Sequence, residues 1–379
     1  MKKFDRRDFL LCLSTAVCVV LIVFVLQTLL KTSKNESCCP LTTVISTEAT
    51  RPHSPYLLQR DTIDNGFSRN WMLHFPPSEE YWIDVHTHMS GVKNSTDLKQ
   101  LIDYWFSKLD AYRLGIVVAM TGQNELFDVF GQMVTSDPRF AWIYQPPLDN
   151  PSPSLVREAA KNGARGIKIH NVRIIEGKTP RDIWKSNEWQ AIFSFAEQAG
   201  IPLLWHVTQR HGYSPYHGGG KYAYWEKGWQ QGVTFTNEDL LQDMLAIMKQ
   251  FPKLKVIGAH QLHVGPERLQ KLLQENENLY IDSSCGMYLR WADDFIEEDR
   301  LVLRDFVEKW SERILFGTDA SFEPNKLDDY AIQGYLCHAR FMLKLGLSDK
   351  ALQDVAWRTT SNLLKLNPVS AARRGNVRP

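Results

Sequence analysis

From Tyr81 to about Leu366 the chain alternates short apolar runs with stretches whose apolar residues recur every three or four positions. Runs of the first kind predict strands, and the others predict helices with one buried face. The strands are expected at residues 81–88, 114–120, 140–144, 166–170, 203–206, 255–260, 279–284 and 314–319. Leu98, Leu101, Ile102, Trp105, Phe106 and Leu109 mark the first helix, with Ser95 or Thr96 as its cap. Further helices are expected through Phe127 and Met133, around 155–161, over 182–198 before the break at Gly200-Ile201-Pro202, over 237–250, 267–275 and 299–310, and in two stretches ending near Leu366. Strands separated by helices pair in parallel through right-handed crossovers. Eight such units predict an α/β fold closed as a (β/α)8 TIM barrel. An open doubly wound sheet would lead one to expect a Gly-rich phosphate loop after the first strand, and His86-Thr87-His88 stands there instead.

A different pattern occupies the N-terminus. Residues 9–30 are almost unbroken apolar, interrupted by Ser14, Thr15, Gln27 and Thr28, and about 20 such residues suffice for a helix to cross a bilayer. Lys2, Lys3, Arg6 and Arg7 ahead of the run favour a cytoplasmic N-terminus with the bulk of the chain beyond the membrane, a bias that Lys31 and Lys34 reduce. No small-x-small cleavage site follows, which favours a retained signal anchor over a removed signal peptide. Asp5-Arg6-Arg7-Asp8-Phe9-Leu10 also matches a twin-arginine export signal, for which an ordinary basic flank is the plainer reading. The layout expected is a cytoplasmic tail (1–8), a transmembrane helix (9–30), a Ser-, Thr- and Pro-rich stalk and lead-in arm (31–77), the barrel (78–367) and a short tail (368–379).

Composition narrows this picture a little. With 379 residues, 44% of them hydrophobic, the chain can bury a large core, and its formal charge of +1 gives no support to nucleic-acid binding. The six cysteines do not form a disulfide framework: Cys12 and Cys18 lie in the apolar run, Cys38 and Cys39 are neighbours, and Cys285 and Cys337 are far apart. A small-molecule substrate and a homodimer are the partners expected besides the membrane.

The candidate chemistry lies at the ends of the strands, where a barrel places its catalytic groups. His86 and His88 end the first strand, Lys168 and His170 the fourth, His206 the fifth, His260 the sixth and Asp319 the eighth. Alternation along a strand puts His86 and His88 on one face, and imidazoles at that spacing can share a cation such as zinc. By the same alternation Asp84 shares the face of His86, and Gly166, Gly258 and Gly317 fall in the layer beneath Lys168, His260 and Asp319. Three imidazoles and a carboxylate leave a coordination position for water, Asp319 is suited to take its proton, and His260 to polarise or protonate a substrate.

This order of residues, with Ile257-Gly258-Ala259-His260, Leu315-Phe316-Gly317-Thr318-Asp319 and the closing Trp357-Arg358-Thr359-Thr360-Ser361-Asn362-Leu363-Leu364, resembles the amidohydrolase superfamily. The resemblance is greatest to the branch that contains aminocarboxymuconate semialdehyde decarboxylase and dicarboxylate lactonases, and it covers about residues 81–366. It implies a divalent metal held by His86, His88, His206 and Asp319: one zinc ion, or two if Lys168 is carboxylated and bridges them. With one metal, Lys168 becomes a charged substrate or supporting group, and His170 lines the pocket. Outside the resemblance, the long loop 206–235 carries His211 and Trp225 among many aromatics and suits a lid, while Arg290 is a candidate for a substrate carboxylate.

The function expected first is metal-dependent hydrolysis of a C–N or C–O bond in a small amide, lactam or lactone. A decarboxylase of an aromatic or unsaturated carboxylic acid on the same cage is the alternative, and an arginine inside the pocket would favour it. A phosphoesterase is disfavoured by the sparse basic residues, and a binding protein on a retired barrel by the filled ligand positions.

Overall fold

The computed structural model describes residues 82–208, 234–264, 266–284, 297–324 and 329–367. The apolar run 9–30 lies outside them, and among the described residues no helix is long and apolar enough to cross a membrane.

All the strands pair in parallel: β1 (Trp82–Met89), β2 (Leu114–Thr121), β3 (Phe140–Tyr144), β4 (Ile167–His170), β5 (Leu203–His206), β6 (Val256–Gly258), β7 (Leu279–Asp282), β8 (Ile314–Leu315) and β9 (Ala320–Phe322). Their order is β8-β7-β6-β5-β4-β3-β2-β1-β9. The predicted eighth strand is thus two short pieces. The first pairs with β7, the second with β1, and between them Phe316 O accepts from Val85 N at 2.9 Å and Asp319 N donates to His86 O at 2.8 Å. One continuous segment, 314–322, therefore bonds to the first and the seventh strands and closes the sheet on itself.

Helices α1 (Ser95–Leu109), α2 (Phe127–Ser136), α3 (Pro153–Lys161), α4 (Asn187–Ala199), α5 (Asn237–Gln250), α6 (Pro266–Glu275), α7 (Glu297–Trp310) and α8 (Asp329–Lys344) separate the strands. Asn94, one residue ahead of the expected cap, accepts from Asp97 N at 2.9 Å and starts α1. α4 is shorter than expected because 181–185 form a separate 3-10 turn; Ser186 caps the helix, and Gly200 ends it in the left-handed region at φ 63°. Side chains divide between two cores. Ile83, Val85, Ile116, Val118, Ile143, Leu204, Ile257 and Leu315 fill the barrel interior. A larger cluster joins the outward faces to the helices and includes Trp184, Trp189, Phe193 and Trp205, whose neighbouring rings are 4.8–6.3 Å apart.

At the end of the barrel away from the ligands, the closing helical segment contains a π-turn, Asp354–Arg358. Asp354 is buried and accepts from Ser311 Oγ at 2.8 Å, Lys350 Nζ at 2.7 Å and Arg358 at 2.5 Å. Burial works against the charge, but Lys350, Ser311 and Arg358 hold the carboxyl below its usual range. A depressed acid contributes stability above its unfolded value, near 4, and loses that contribution as pH falls through the folded value. Asp354→Asn is expected to cost roughly 1–2 kcal/mol at neutral pH, discounted for the exposure of Lys350. Urea titrations at pH 7 and pH 3 should show the gap between wild type and variant narrowing in acid.

Candidate metal centre

The centre begins with an irregularity in β1. Asp84 pairs with Val117 and Thr87 with Ala119, so three steps of β1 face two of β2, which is a β-bulge. The bulge reverses the alternation. Asp84 stays beside outward-facing Val117, whereas His88 pairs with inward-facing Met120 and His86 turns inward with it. The expectation that Asp84 shares the face of His86 is therefore corrected. Asp84 instead accepts from Thr318 N at 3.1 Å, Thr318 Oγ1 at 2.7 Å and His86 N at 3.3 Å, tying the backbones that carry His86 and Asp319 together. Burial pushes its carboxyl up to about 7 against those bonds.

The sixth strand departs from expectation as well. It ends at Gly258, and His260, Gln261, Leu262 and His263 follow with φ between 51° and 56°. Left-handed backbone at a non-glycine costs about 1–2 kcal/mol per residue, so the turn must be held. Gln261 Nε2 donates to Asp282 O at 2.6 Å, Thr208 Oγ1 to Leu262 O at 2.7 Å, and His260 N to Asp282 Oδ1 at 2.9 Å. Gly258 faces outward: a Cβ there would meet Leu262 at 2.5 Å, so its absence accommodates the turn and not an inner layer. Gly317 does face inward, and a Cβ on it would stand 2.9 Å from His86 Cβ.

At the barrel mouth, His86 Nε2 and His88 Nε2 lie 3.2 and 3.0 Å from Asp319 Oδ1. The ligand atoms of His86, His260 and Asp319 all lie within 4.8 Å of one another. His206 joins through ring contacts of 4.5 Å to His260 and 4.1 Å to His170. Lys168 is buried, with Nζ 3.0 Å from His86 Nε2, and burial lowers its ammonium to about 8 while Asp319 and Asp282 pull the other way.

Hydrogen bonds fix where the ring protons sit. Asp282 Oδ2 is 2.6 Å from His86 Nδ1, and a carboxylate there needs a donor, so Nδ1 carries the proton. Ser284 Oγ donates to Asp282 Oδ1 at 2.6 Å and accepts from His260 Nδ1 at 2.9 Å. In the neutral rings both Nε2 atoms are then left as lone pairs, while against burial and Lys168 the carboxylates of Asp282 and Asp319 raise the His86 imidazole above its usual value. Burial opposes charge on Asp319, but His260, His86 and His88 hold its carboxyl well below the usual range. Burial holds the His206 and His260 imidazoles well below theirs, with Asp319 and Asp282 pulling the other way on His260.

A divalent cation fits this donor set. His206 Nε2 is buried with no hydrogen-bond partner, an arrangement that costs free energy unless something satisfies it. Neutral imidazoles converging on a carboxylate suit zinc or a similar cation.

A cavity of about 680 Å3 opens beside His88 and His170. Met89, Met120, Ile169, Leu148, Pro146 and Pro147 form its apolar wall, and Thr121, Asn124, Gln145, Asp149 and Arg173 its polar one. Arg173 Nε pairs with Asp149 Oδ2 at 2.5 Å, and Thr179 Oγ1 donates to the other carboxylate oxygen. Burial lowers the His170 imidazole to about 3.

Of the residues singled out in the sequence, the structure gathers His86, His88, Lys168, His170, His206, His260 and Asp319 at one mouth; His211, Trp225 and Arg290 lie outside the described residues. Asp282, Ser284, His263 and Arg173 were missed. Asp282 could have been found, since it stands at the end of Leu279-Tyr280-Ile281-Asp282 as Asp319 ends its own run.

The family model described as amidohydrolase matches residues 115–366, a stretch that begins after β1. No curated protein matches the chain in sequence. Among solved structures, 5-carboxyvanillate decarboxylase from Sphingomonas paucimobilis is 12% identical, with a TM-score of 0.50 over 76% of this chain and 99% of that one. A dihydroxybenzoic acid decarboxylase from Polaromonas sp. JS666, solved with bound manganese and 2-nitroresorcinol, is 14% identical, with a TM-score of 0.48 over 76% and 98%. Dihydroorotase from Campylobacter jejuni is 16% identical, with a TM-score of 0.47 over 76% and 84%.

Proposed function

This chain belongs to the amidohydrolase family, and from that premise we propose that it is a metal-dependent decarboxylase of a small aromatic or unsaturated carboxylic acid. One observation carries the reading: an arginine, ion-paired with Asp149, stands at the mouth of a pocket whose wall beside the histidines is apolar. Arg173 is 46% exposed and is the one lysine or arginine among the described lining residues, while Met89, Met120 and Ile169 beside the histidines are buried. Asp149 offsets part of the charge but engages Nε, and the outer N–H groups of the guanidinium orient an anion; deeper in, a carboxylate loses solvation and neutral carbon dioxide does not. Likeness to a decarboxylase agrees with this but, at 12% identity, reaches no further than the fold.

His86, His88, His206 and Asp319 would hold the cation, with His260, whose ligand atom clusters with those of His86 and Asp319, beside it. When bound, such a cation withdraws electron density from a substrate oxygen. Arg173 and the apolar wall orient the flat acid. Asp319, kept anionic by its histidines, takes a proton from solvent and delivers it to the carbon that bears the carboxylate. As the new C–H bond forms, the C–C bond breaks and carbon dioxide leaves. His260 Nε2 is the second atom able to accept a proton, because Ser284 holds Nδ1–H. Lys168 keeps positive charge beside His86. The apolar run 9–30 is proposed to anchor the barrel on the far side of a membrane.

Hydrolysis of a C–N or C–O bond is the second reading, favoured by the ionised state of Asp319, which equips it to take a proton from water. Metal-loaded protein offered 5-carboxyvanillate, dihydroxybenzoic acids and dihydroorotate separates the two. Carbon dioxide release from an aromatic acid, abolished by a chelator and restored by metal, is expected. Ring opening of dihydroorotate with no release from any acid would replace the proposal with the hydrolase.

A further inference from the structure

His170 ends β4 beside the metal centre, lines the cavity, and has a ring nitrogen engaged by its own backbone. Val172 N–H donates to His170 Nδ1 at 2.9 Å. A backbone amide is only a donor, so Nδ1 must present its lone pair, and the proton of the neutral ring then sits on Nε2. The same bond leaves no lone pair at Nε2 for a cation, which removes His170 from the candidates for a metal bridge.

The residues around the ring are fixed. Asn171 N donates to His206 O at 3.0 Å, Asn171 Nδ2 donates to Val207 O at 2.9 Å, and Asn171 Oδ1 accepts from Trp205 Nε1 at 2.8 Å. The His206 ring stands against the imidazole, with centroids 4.1 Å apart. Backbone and ring are thus set before any ligand arrives, which is the condition under which a single donor contributes most.

We propose that His170 is a substrate-binding residue that donates from Nε2–H to an anionic oxygen, carboxylate or phenolate, of the molecule bound between Arg173 and His88. The inference rests on the cavity being the substrate pocket but not on the bond that is broken there. It assigns the pocket two donors of different kinds: a part-exposed guanidinium, ion-paired with Asp149, at the mouth and a pinned neutral imidazole further in.

The test uses full-length, metal-loaded protein and benzoate as the probe, which requires no turnover. Calorimetric titration is expected to show benzoate binding weakened roughly 10- to 100-fold in His170→Phe, with metal content unchanged. His170→Gln, whose side-chain amide supplies an N–H, is expected to recover most of the loss. In 15N-labelled histidine spectra of the wild type, the His170 ring should show the Nε2–H tautomer. Wild type that does not bind benzoate, a Phe variant that binds it as tightly as wild type, loss of metal from that variant, or an Nδ1–H ring would each overturn the proposal. A protein found to hydrolyse instead of decarboxylate would leave these outcomes unchanged.

Discussion

Asp319→Asn is expected to lower kcat/KM by about 10^4-fold and to bring the metal content well below one per chain, in a protein that remains folded. Three roles converge on this carboxylate. It lies 3.2 Å from His86 Nε2 and 3.0 Å from His88 Nε2, so it supplies the negative charge around which the imidazoles gather. It is held well below the ordinary carboxylate range, so it is ionised at any working pH. It is also the group proposed to carry the proton, a contribution of about 10^2–10^4 by itself. Asparagine keeps the shape and tolerates the left-handed backbone at φ 61°, so loss of fold does not confuse the result. Elemental analysis and turnover on the same preparation check both parts; a variant with full metal and near-normal turnover would remove Asp319 from the centre.

The second large effect is expected where nothing touches substrate. Asp282 is fully buried; it takes His86 Nδ1 on one oxygen and His260 N, Ser284 N and Ser284 Oγ on the other. Burial opposes its charge, and His86, His260 and Ser284 overcome it and hold the carboxyl far below its usual range. Removing one member of such a buried set leaves the others desolvated without a partner, at about 3–5 kcal/mol. Asp282→Asn should therefore lower the denaturation midpoint clearly. It should also weaken metal binding by about 10- to 100-fold, because His86 loses the acceptor that fixes its ring. Competition against a coloured chelator separates the second effect from the first. Unchanged metal affinity in a destabilised protein would make Asp282 a purely structural residue.

Much of this was legible in the sequence, for physical reasons. Apolar runs and helical periods are local, so the alternation of elements could be read directly, and with it the strand ends that hold His86, His88, Lys168, His170 and His206, whereas Asp319 falls in the left-handed break between β8 and β9. Orientation was less legible. Alternation assigns faces only while strand pairing stays in register, and the bulge between Asp84 and Thr87 is a property of β1 and β2 together. His260 was placed on a strand because Gly258-Ala259-His260 continues an apolar run. Only the bonds from Gln261, Thr208 and Asp282 turn the backbone left-handed there. Arg173 escaped notice because its role depends on a cavity assembled from β2, β3 and β4.

The closure of the sheet bears on how the protein reaches its native state. β1 pairs on one side with β2, its neighbour in sequence, and on the other with β9, more than two hundred residues away. Contacts between such distant segments form late in folding, after the entropy of closing the long intervening loop has been lost. His86 and His88 stand on one side of that last junction and Asp319 on the other, joined by Asp319 N to His86 O and by Asp84 to Thr318. The centre is therefore absent from any intermediate whose barrel is still open. A cation bound across the junction would act as a latch, slowing the reopening of the first and last strands, and unfolding rates with and without metal would differ more than folding rates.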